Sequence, residues 1–494
     1  MTQSQDTEEL ETYAHANAEL AVLPGDAPDD NSRSNVVSDV AALDPQTPIS
    51  KSSLPQLAGY VRRGAKPKPV WQCGVEFEVF GYTARNLERL NPEQIQRVLA
   101  GLAASSHATS RNANLILEDG TAIEALIDGG GRVTIEPGGQ VEFSGAPHSS
   151  LSEIETDTRD FLERLHSVAG ENDFVFLAAG FDPFRTLGEQ QWFPKPRYSV
   201  MRPYLAAHGA RAWDMMSRTC AVQVNLDYES DGDLAKKFVL GNRLAPYVAA
   251  IFANSPFADG VLSGYKSTRA AAWLETDDAR AGVSPLAFQD VDCFSPEAFV
   301  EYALTVPMIF VRRDGGYANA VAGQPFGEFL LHGAGAIEPV FQDWTDHLTT
   351  IFTEARLKQY LEMRSADGGT LEMALALAAL WRGLMYDDAA LDEALRLAPK
   401  LQPKEMRALQ AAVARDGLAA EEAGVNVLRV AKDLIALAAD GLRRFAPAEG
   451  KYLDILREQV IEDEVCPADI QLRNWHGAAW HGSLQKLAQG LRVA

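Results

Sequence analysis

A chain of 494 residues, 46% of them hydrophobic, is long enough for one large domain or several smaller ones with a sizeable core. Its formal net charge of −23 argues against a nucleic-acid or anionic-membrane surface, since either needs a basic patch. No run of about twenty apolar residues is present, and the N-terminus lacks a basic, then apolar, then small-residue leader pattern. The four cysteines, Cys73, Cys220, Cys293 and Cys466, form no CxxC pair. They fit neither a zinc site nor a dense disulfide framework, and a reducing cytoplasm is the expected compartment.

Residues 1–48 are acidic and polar with little apolar periodicity. Such a segment buries too little surface to offset its ordering entropy, so a disordered tail is expected, with at most a short helix over 8–23. The expected catalytic domain spans 49–494, sheet-rich over 70–370 and helical over 371–494. Ser52 or Ser53 caps a short helix that Lys66-Pro-Lys-Pro ends. Residues 71–82 alternate as a strand, 92–104 repeat as a helix, and 114–144 read as short strands separated by Asp-Gly, Asp-Gly-Gly-Gly and Pro-Gly-Gly turns. A Ser-x-x-Glu capping box opens a helix at Ser150. Strands are predicted at 174–180, 219–227, 306–311 and 357–364, and a mostly apolar helix at 234–253. Residues 188–204, rich in Pro and Arg, read as an irregular functional loop. Helices are predicted over 371–386, 390–397, 403–414, 420–445 and 450–460.

Four strands share one regularity: apolar residues on one face, functional groups on the other. Val75, Phe77 and Val79 oppose Glu76 and Glu78; Val133, Ile135, Val141 and Phe143 oppose Glu136 and Glu142. Val222, Val224 and Leu226 oppose Gln223 and Asn225, while Leu361 and Met363 oppose Glu362 and Arg364. Taken singly, such a Glu is more often solvated strand face than ligand. If the strands share one antiparallel sheet, one face carries five carboxylates, two amides and an Arg. Clustered carboxylates take up protons unless cations sit between them, and hard divalent ions bind through a few carboxylates while keeping positions open for phosphate oxygens. That floor suits phosphoryl transfer. Cations for phosphate or an anionic substrate are available at Arg197, Arg202, Arg269, Arg356, Lys358 and Arg364. Neither GxxxxGK[ST] nor a GxGxxG after a strand occurs. A metal-free carboxylate-pair glycosidase and a non-catalytic binding protein are the rival readings.

In these same residues the chain resembles the plant-type glutamate–cysteine ligases, a family also found in bacteria. The matching stretches are GVEFEVFGY (74–82), IEPGGQVEFSGAP (135–147), RYSVMRPY (197–204), DMMSRTCAVQVNLDY (214–228), FANSPF (252–257), WTDHLTTIFTEARLKQYLEMRSADGG (344–369) and LWRGLMYDD (380–388). The resemblance implies an α+β, glutamine-synthetase-like fold: a curved antiparallel sheet cupping the active site, helices on its outer face, and a helical C-terminal part. It implies ATP-dependent joining of the glutamate γ-carboxylate to the cysteine amine through γ-glutamyl phosphate, with Mg²⁺ or Mn²⁺, in a monomer or homodimer; the runner-up is a γ-glutamyl ligase of the same fold that accepts another amine. It also implies roles. Glu76, Glu78, Glu136, Glu142, Glu362 and Asn225 look like metal ligands, and Arg364, Lys358 and Arg356 like the ATP-binding groups. Arg197 and Arg269 look suited to holding substrate carboxylates and, with Arg364, to catalysis; Trp273, Tyr302 and Gln223 look like substrate-pocket walls. The chain departs from the family at Phe77, where a His usually separates the first two acids, and at Tyr317 to Ala320 and Leu375, near positions where plant members carry switching cysteines.

Overall fold

Alternating apolar and polar residues resolve into one nine-stranded sheet. The computed structural model describes residues 43–105 and 115–494, all within one compact unit, Val40–Ala494. In chain order the strands are β1 (Cys73–Thr83), β2 (Leu115–Glu118), β3 (Thr121–Leu126), β4 (Arg132–Ile135), β5 (Val141–Ser144), β6 (Phe174–Leu177), β7 (Ala221–Leu226), β8 (Ala355–Leu357) and β9 (Leu361–Asp367). They lie side by side as β8-β9-β7-β1-β5-β4-β3-β2, with β6 pairing the far half of β1. Every pairing is antiparallel. This is the α+β architecture the sequence predicts.

Register decides what shares a face. Glu76 pairs with Gln223 and Ser144, Glu78 with Glu142, Thr134 with Glu142, and Glu362 with Asn225 and Arg356. A one-residue slip in any of these ladders would turn the acids into the core. On the opposite face Val75, Phe77, Val79, Val133, Val141, Phe143, Val224, Leu361 and Met363 are all at most 3% exposed. Helices Leu151–Asn172, Asp231–Ile251 and Leu371–Met385 cover that face, and Val427–Phe445 packs behind the last of them. Phe77 sits in this core, 0% exposed, so the position where the family carries a His is a packing position here.

Local signals hold in most places. Ser150 and Glu153 form the reciprocal capping box, and the helix Pro92–Ala104 starts on an Asn91–Gln94 box. Several expectations need correcting. The expected helix over 8–23 and residues 1–42 of the acidic tail lie outside the described residues. Residues 45–49, however, belong to the folded unit: backbone hydrogen bonds tie Pro45, Thr47 and Ile49 to Gln342, Phe341 and Pro339. The stretch 188–204 is not an irregular loop throughout, since Pro196 opens a helix running to His208. Pro is pre-set for the first helical turn, where its missing N–H costs nothing. No strand forms over 306–310; a hairpin, Val311–Arg313 with Gly316–Ala318, replaces it. Residues 420–426 form a small hairpin rather than the start of a helix, because Ala423 and Gly424 take positive φ and Asn426 then caps Val427–Phe445. None of the helices among the described residues is long and apolar enough to cross a membrane.

Candidate active site

The polar face of β4, β5, β1, β7 and β9 floors a cavity of about 410 Å³. The hairpin between β4 and β5 sets its rim. Gly139 has a φ of +78°, and Gly138 lies so close to the Ser217 backbone that a side chain would not fit. Gln140, 1% exposed, pins this turn: its Oε1 accepts from Gly138 N at 2.8 Å, and its Nε2 donates to Thr219 O at 2.9 Å. Glu136, just past the end of β4, thereby joins Glu76, Glu78 and Glu142 in lining the cavity.

Three of these acids are held by neutral donors. Asn225 Nδ2 donates to Glu76 at 2.9 Å, Gln223 Nε2 to Glu78 at 3.1 Å, Ala221 N to Glu78 at 2.8 Å, and Thr134 Oγ1 to Glu142 at 2.7 Å. Among the described residues none of the four is ion-paired by direct contact. Burial, reinforced by the charges of Glu362 and Glu142, pushes Glu76 up to about 8. Burial, and then Glu136, push Glu142 up to about 7. Glu78 is likewise held well above the carboxylate range by burial and by Glu142 and Glu136. Such a set is starved of positive charge.

Glu362 behaves oppositely. It is 0% exposed and does not line the cavity. Arg356 grips it with Nη2–Oε1 at 2.5 Å and Nε–Oε2 at 3.2 Å, Lys358 Nζ lies at 3.0 Å, and Arg364 Nη1 donates to it as well. Burial alone would raise its proton affinity, but these three cations outweigh it and hold the carboxyl well below its usual range. Glu362 is therefore corrected from metal ligand to the anion that seats three cations. Asn225 is corrected too: it does not line the cavity, and it orients Glu76. Among the described residues no three His, Cys, Asp or Glu side chains converge closely enough to enclose a metal ion. The expected six-membered ligand shell is thus absent as such. What remains, Glu76, Glu78, Glu136 and Glu142, is a row of hard oxygen donors, Glu78 buried and the others half-buried, that lacks a direct counter-ion. That chemistry fits a hard divalent cation.

Positive groups face this row. Lys195, Arg197, Arg269, Arg356, Lys358 and Arg364 all line the cavity. Arg197 Nη2 donates to Thr349 Oγ1 at 2.8 Å, and its guanidinium lies 5.3 Å from the Phe310 ring centre. Arg364 Nη1 also reaches Gln223 Oε1 at 2.5 Å, so Gln223 bridges the acid row to the cations. Arg269, 5% exposed, donates to Arg364 O at 2.6 Å and Ser365 O at 3.3 Å, and so braces β9 from the helix Thr268–Trp273. Trp273 lines the cavity with Arg364 5.8 Å from its ring centre.

Tyr302 is corrected: it lies on the helix Pro296–Thr305, packs 6.4 Å from Phe299 against the core, and lines neither major cavity. Arg202 is also elsewhere, stacked between Trp192 and Trp213 at 4.1 and 4.6 Å. Lys195, Thr134, Thr349 and Tyr317 line the cavity although the sequence reading did not single them out for it. Thr134 was legible, since it sits two residues before Glu136 on the same strand face; the others come from segments without periodicity.

The profile of "Glutamate-cysteine ligase family 2(GCS2)" matches residues 72–490. The chain is 38% identical over 447 residues to the chloroplastic glutamate–cysteine ligase of Nicotiana tabacum, covering 90% of this chain and 83% of that protein. It is 37% identical over 438 residues to the chloroplastic enzyme of Arabidopsis thaliana, covering 88% and 82%. The fold is similar to that of glutamate–cysteine ligase from Francisella tularensis, solved in complex with AMP, with a TM-score of 0.52, 15% identity, and coverage of 85% and 88%. With the match spanning both the acid row and the cations that face it, the chain belongs to the glutamate–cysteine ligase family.

Proposed function

We propose that the acid-floored cavity is where this glutamate–cysteine ligase joins the γ-carboxylate of L-glutamate to the amine of L-cysteine at the expense of ATP. The observation that carries this reading is the facing of four carboxylates without direct counter-ions, Glu78 buried and the others half-buried, and six cationic side chains across one cavity. In the proposed sequence a γ-carboxylate oxygen attacks the γ-phosphorus of ATP, and ADP leaves. The cysteine amine then adds to the acyl carbon of γ-glutamyl phosphate, phosphate departs, and the amine proton passes to it or to water.

Glu76, Glu78, Glu136 and Glu142 would hold divalent cations, Mg²⁺ or Mn²⁺, which neutralise phosphate charge and align the attacking and leaving oxygens. The chain's own residues do the rest. Arg364 and Lys358, seated on Glu362, present fixed positive charge to the transferring phosphoryl group, and Arg356 keeps that seat rigid. Pre-organised charge of this kind needs no rearrangement as the transition state forms. Arg197, with Thr349 fixing one nitrogen, suits a substrate carboxylate, for which the planar guanidinium is shaped. Arg269, being hydrogen-bonded to β9 carbonyls, positions Arg364. We further infer a reducing compartment, supported by four cysteines that are all unpaired, three of them buried.

The deciding experiment measures ADP release from Mg-ATP with L-glutamate, with and without L-cysteine, and weighs the product. Cysteine-dependent release with γ-glutamylcysteine formed is the expected result. Release that requires a different amine would overturn the acceptor while leaving the phosphoryl site, and no release with any amine would overturn the reading.

A further inference from the structure

One buried carboxylate on the sheet belongs neither to the acid row nor to the cation seat. Asp367 ends β9, is 3% exposed, and lines neither major cavity. Three donors converge on it. Its Oδ2 accepts from Asn254 N at 2.8 Å and from Ser255 Oγ at 2.6 Å, and its Oδ1 from Ser267 Oγ at 2.8 Å. A Cβ at Gly180 would overlap its carboxyl carbon, so the group is walled in on that side. Its remaining charged neighbour is Arg269, whose Nη1 lies 3.9 Å from Oδ1. Where Arg356, Lys358 and Arg364 are seated on Glu362, Arg269 has Asp367.

The same donors tie down the helix that carries Arg269. Ser267 caps Thr268–Trp273, its Oγ accepting from Ala270 N at 3.0 Å while donating to Asp367. Ser255 Oγ accepts from Arg269 N at 3.3 Å while donating to Asp367, and Thr268 Oγ1 donates to Ser255 O at 2.6 Å. A hydroxyl has one proton to give, and the acceptor that takes it decides where its lone pairs point. Burial raises the proton affinity of Asp367, but three donors and an adjacent guanidinium favour the ionised, acceptor-only form. Both hydroxyl protons therefore turn to Asp367, and both oxygens present lone pairs to the helix N–H groups. Arg269 itself commits one N–H to Arg364 O and one to Ser365 O, and its Nε is buried without a partner. Since Arg269 lines the catalytic cavity, its uncommitted N–H groups are within reach of an anionic group bound there.

We propose that Asp367 is a positioning residue for glutamate binding; the inference rests on the ligase reading above. Through its charge and through Ser255 and Ser267 it fixes the start of Thr268–Trp273. It thereby holds the Arg269 guanidinium with its uncommitted N–H groups toward the substrate carboxylate. Asp367 touches no substrate and takes no part in the bond changes. A carboxylate that served only the fold would alter stability and leave substrate affinity alone, and that difference is measurable.

The test is steady-state ADP release by the full-length protein, set beside urea unfolding. Asp367→Asn keeps the shape of the side chain and removes its charge. The KM for L-glutamate should rise about tenfold, the scale of one charged hydrogen bond, while the KM for ATP stays in place. Glu449→Gln is the matched control. It also neutralises a buried carboxylate gripped by an arginine, with Arg382 Nε to Oε2 at 2.9 Å, and Glu449 lines neither cavity. Both variants should unfold at lower urea, and only Asp367→Asn should move the glutamate KM. Equal rises in the two variants would trace the effect to lost stability and overturn the proposal. So would a folded Asp367→Asn protein with an unchanged glutamate KM. Should Asp367→Asn fail to fold, Ser255→Ala keeps the charge and removes one hydroxyl link. A glutamate KM about threefold higher is then expected, as for one neutral hydrogen bond, and an unchanged one overturns the proposal. No ADP release from the unaltered protein with any amine is a separate result, which refutes the ligase reading and the inference with it.

Discussion

Asn225 on β7 leans diagonally across the ladder to reach Glu76 on β1, Nδ2 to Oε1, at 2.9 Å. The residue directly opposite Asn225 is Gly74, and the residue opposite Glu76 is Gln223. A Cβ placed at Gly74 would touch Asn225 Cβ at 3.5 Å, an ordinary contact, so Asn225 lies directly over Gly74 while its amide reaches sideways. The amide therefore orients an acid whose charge nothing else balances directly, and Asn225 Oδ1 is left buried without a partner.

Replacing Asn225 by Leu should keep the fold and loosen Glu76. Partners that orient a metal ligand are typically worth about 10- to 100-fold in metal affinity or activity. Titrating Mg²⁺ against turnover should show a requirement raised by about that factor. A superimposable titration would remove Asn225, and with it Glu76, from the cation site.

Glu362→Gln separates the two roles the residue has been given. It leaves Arg356, Lys358 and Arg364 crowded around a neutral group in a buried place. Breaking a buried ion network in this way costs about 3–5 kcal/mol. Urea unfolding should show that loss, while the Mg²⁺ dependence of the surviving activity stays the same. An unchanged unfolding midpoint with a shifted Mg²⁺ requirement would restore Glu362 as a ligand.

Gly138→Ala places a methyl group against the Ser217 carbonyl oxygen, a backbone atom that cannot rotate away. The turn carrying Glu136 has to shift or strain, at a cost of about 1–3 kcal/mol. Activity should drop further than stability, because Glu136 moves with the turn. Gly188→Ala, where no atom crowds the added carbon, is the matched control. Equal activity in the two variants would show that the turn tolerates displacement.

His347 governs part of the acid limb of stability. It is 4% exposed, stacks on Phe326 at 4.8 Å, and bonds through Nε2 to Ala303 O at 2.9 Å. Burial depresses its pKa from 6.5 to about 3. Between those values the unfolded chain holds a proton that the native state refuses. Native stability is then lost as pH falls below 6.5, by up to about 1.4 kcal/mol per pH unit from this group. Measured between pH 7 and 5, the stability of His347→Phe should fall less steeply than that of the unaltered protein. Parallel slopes would mean that His347 is protonated in the native state.

The fold class and the identity of the acid row were readable from the chain because strand alternation is a local property. Val133-Thr-Ile-Glu136 around Pro-Gly-Gly, Glu76 and Glu78 between buried hydrophobes, and Gln223 with Asn225 each announce their face within a few residues. The helix Pro92–Ala104 and the Ser150–Glu153 box were legible for the same reason. Where no period runs, as in Pro196–His208 and residues 306–311, local pattern misplaced the elements.

What alternation cannot say is which like-facing residues meet. Glu76 and Glu362 look equivalent in sequence, each a Glu between apolar neighbours. Only the pairing of β8 with β9 brings Arg356 over Glu362, and only the adjacency of β7 brings an amide rather than a cation to Glu76. One acid becomes the seat of a cation cluster and the other a charge awaiting one. Glu362 takes its cations from its own hairpin, two to six residues away, whereas Glu76 meets an amide 149 residues distant, and the energy of a buried charge is set by whatever lies within a few ångströms of it. The sequence by itself determined the row of acids, and the tertiary structure decided which of them face open space.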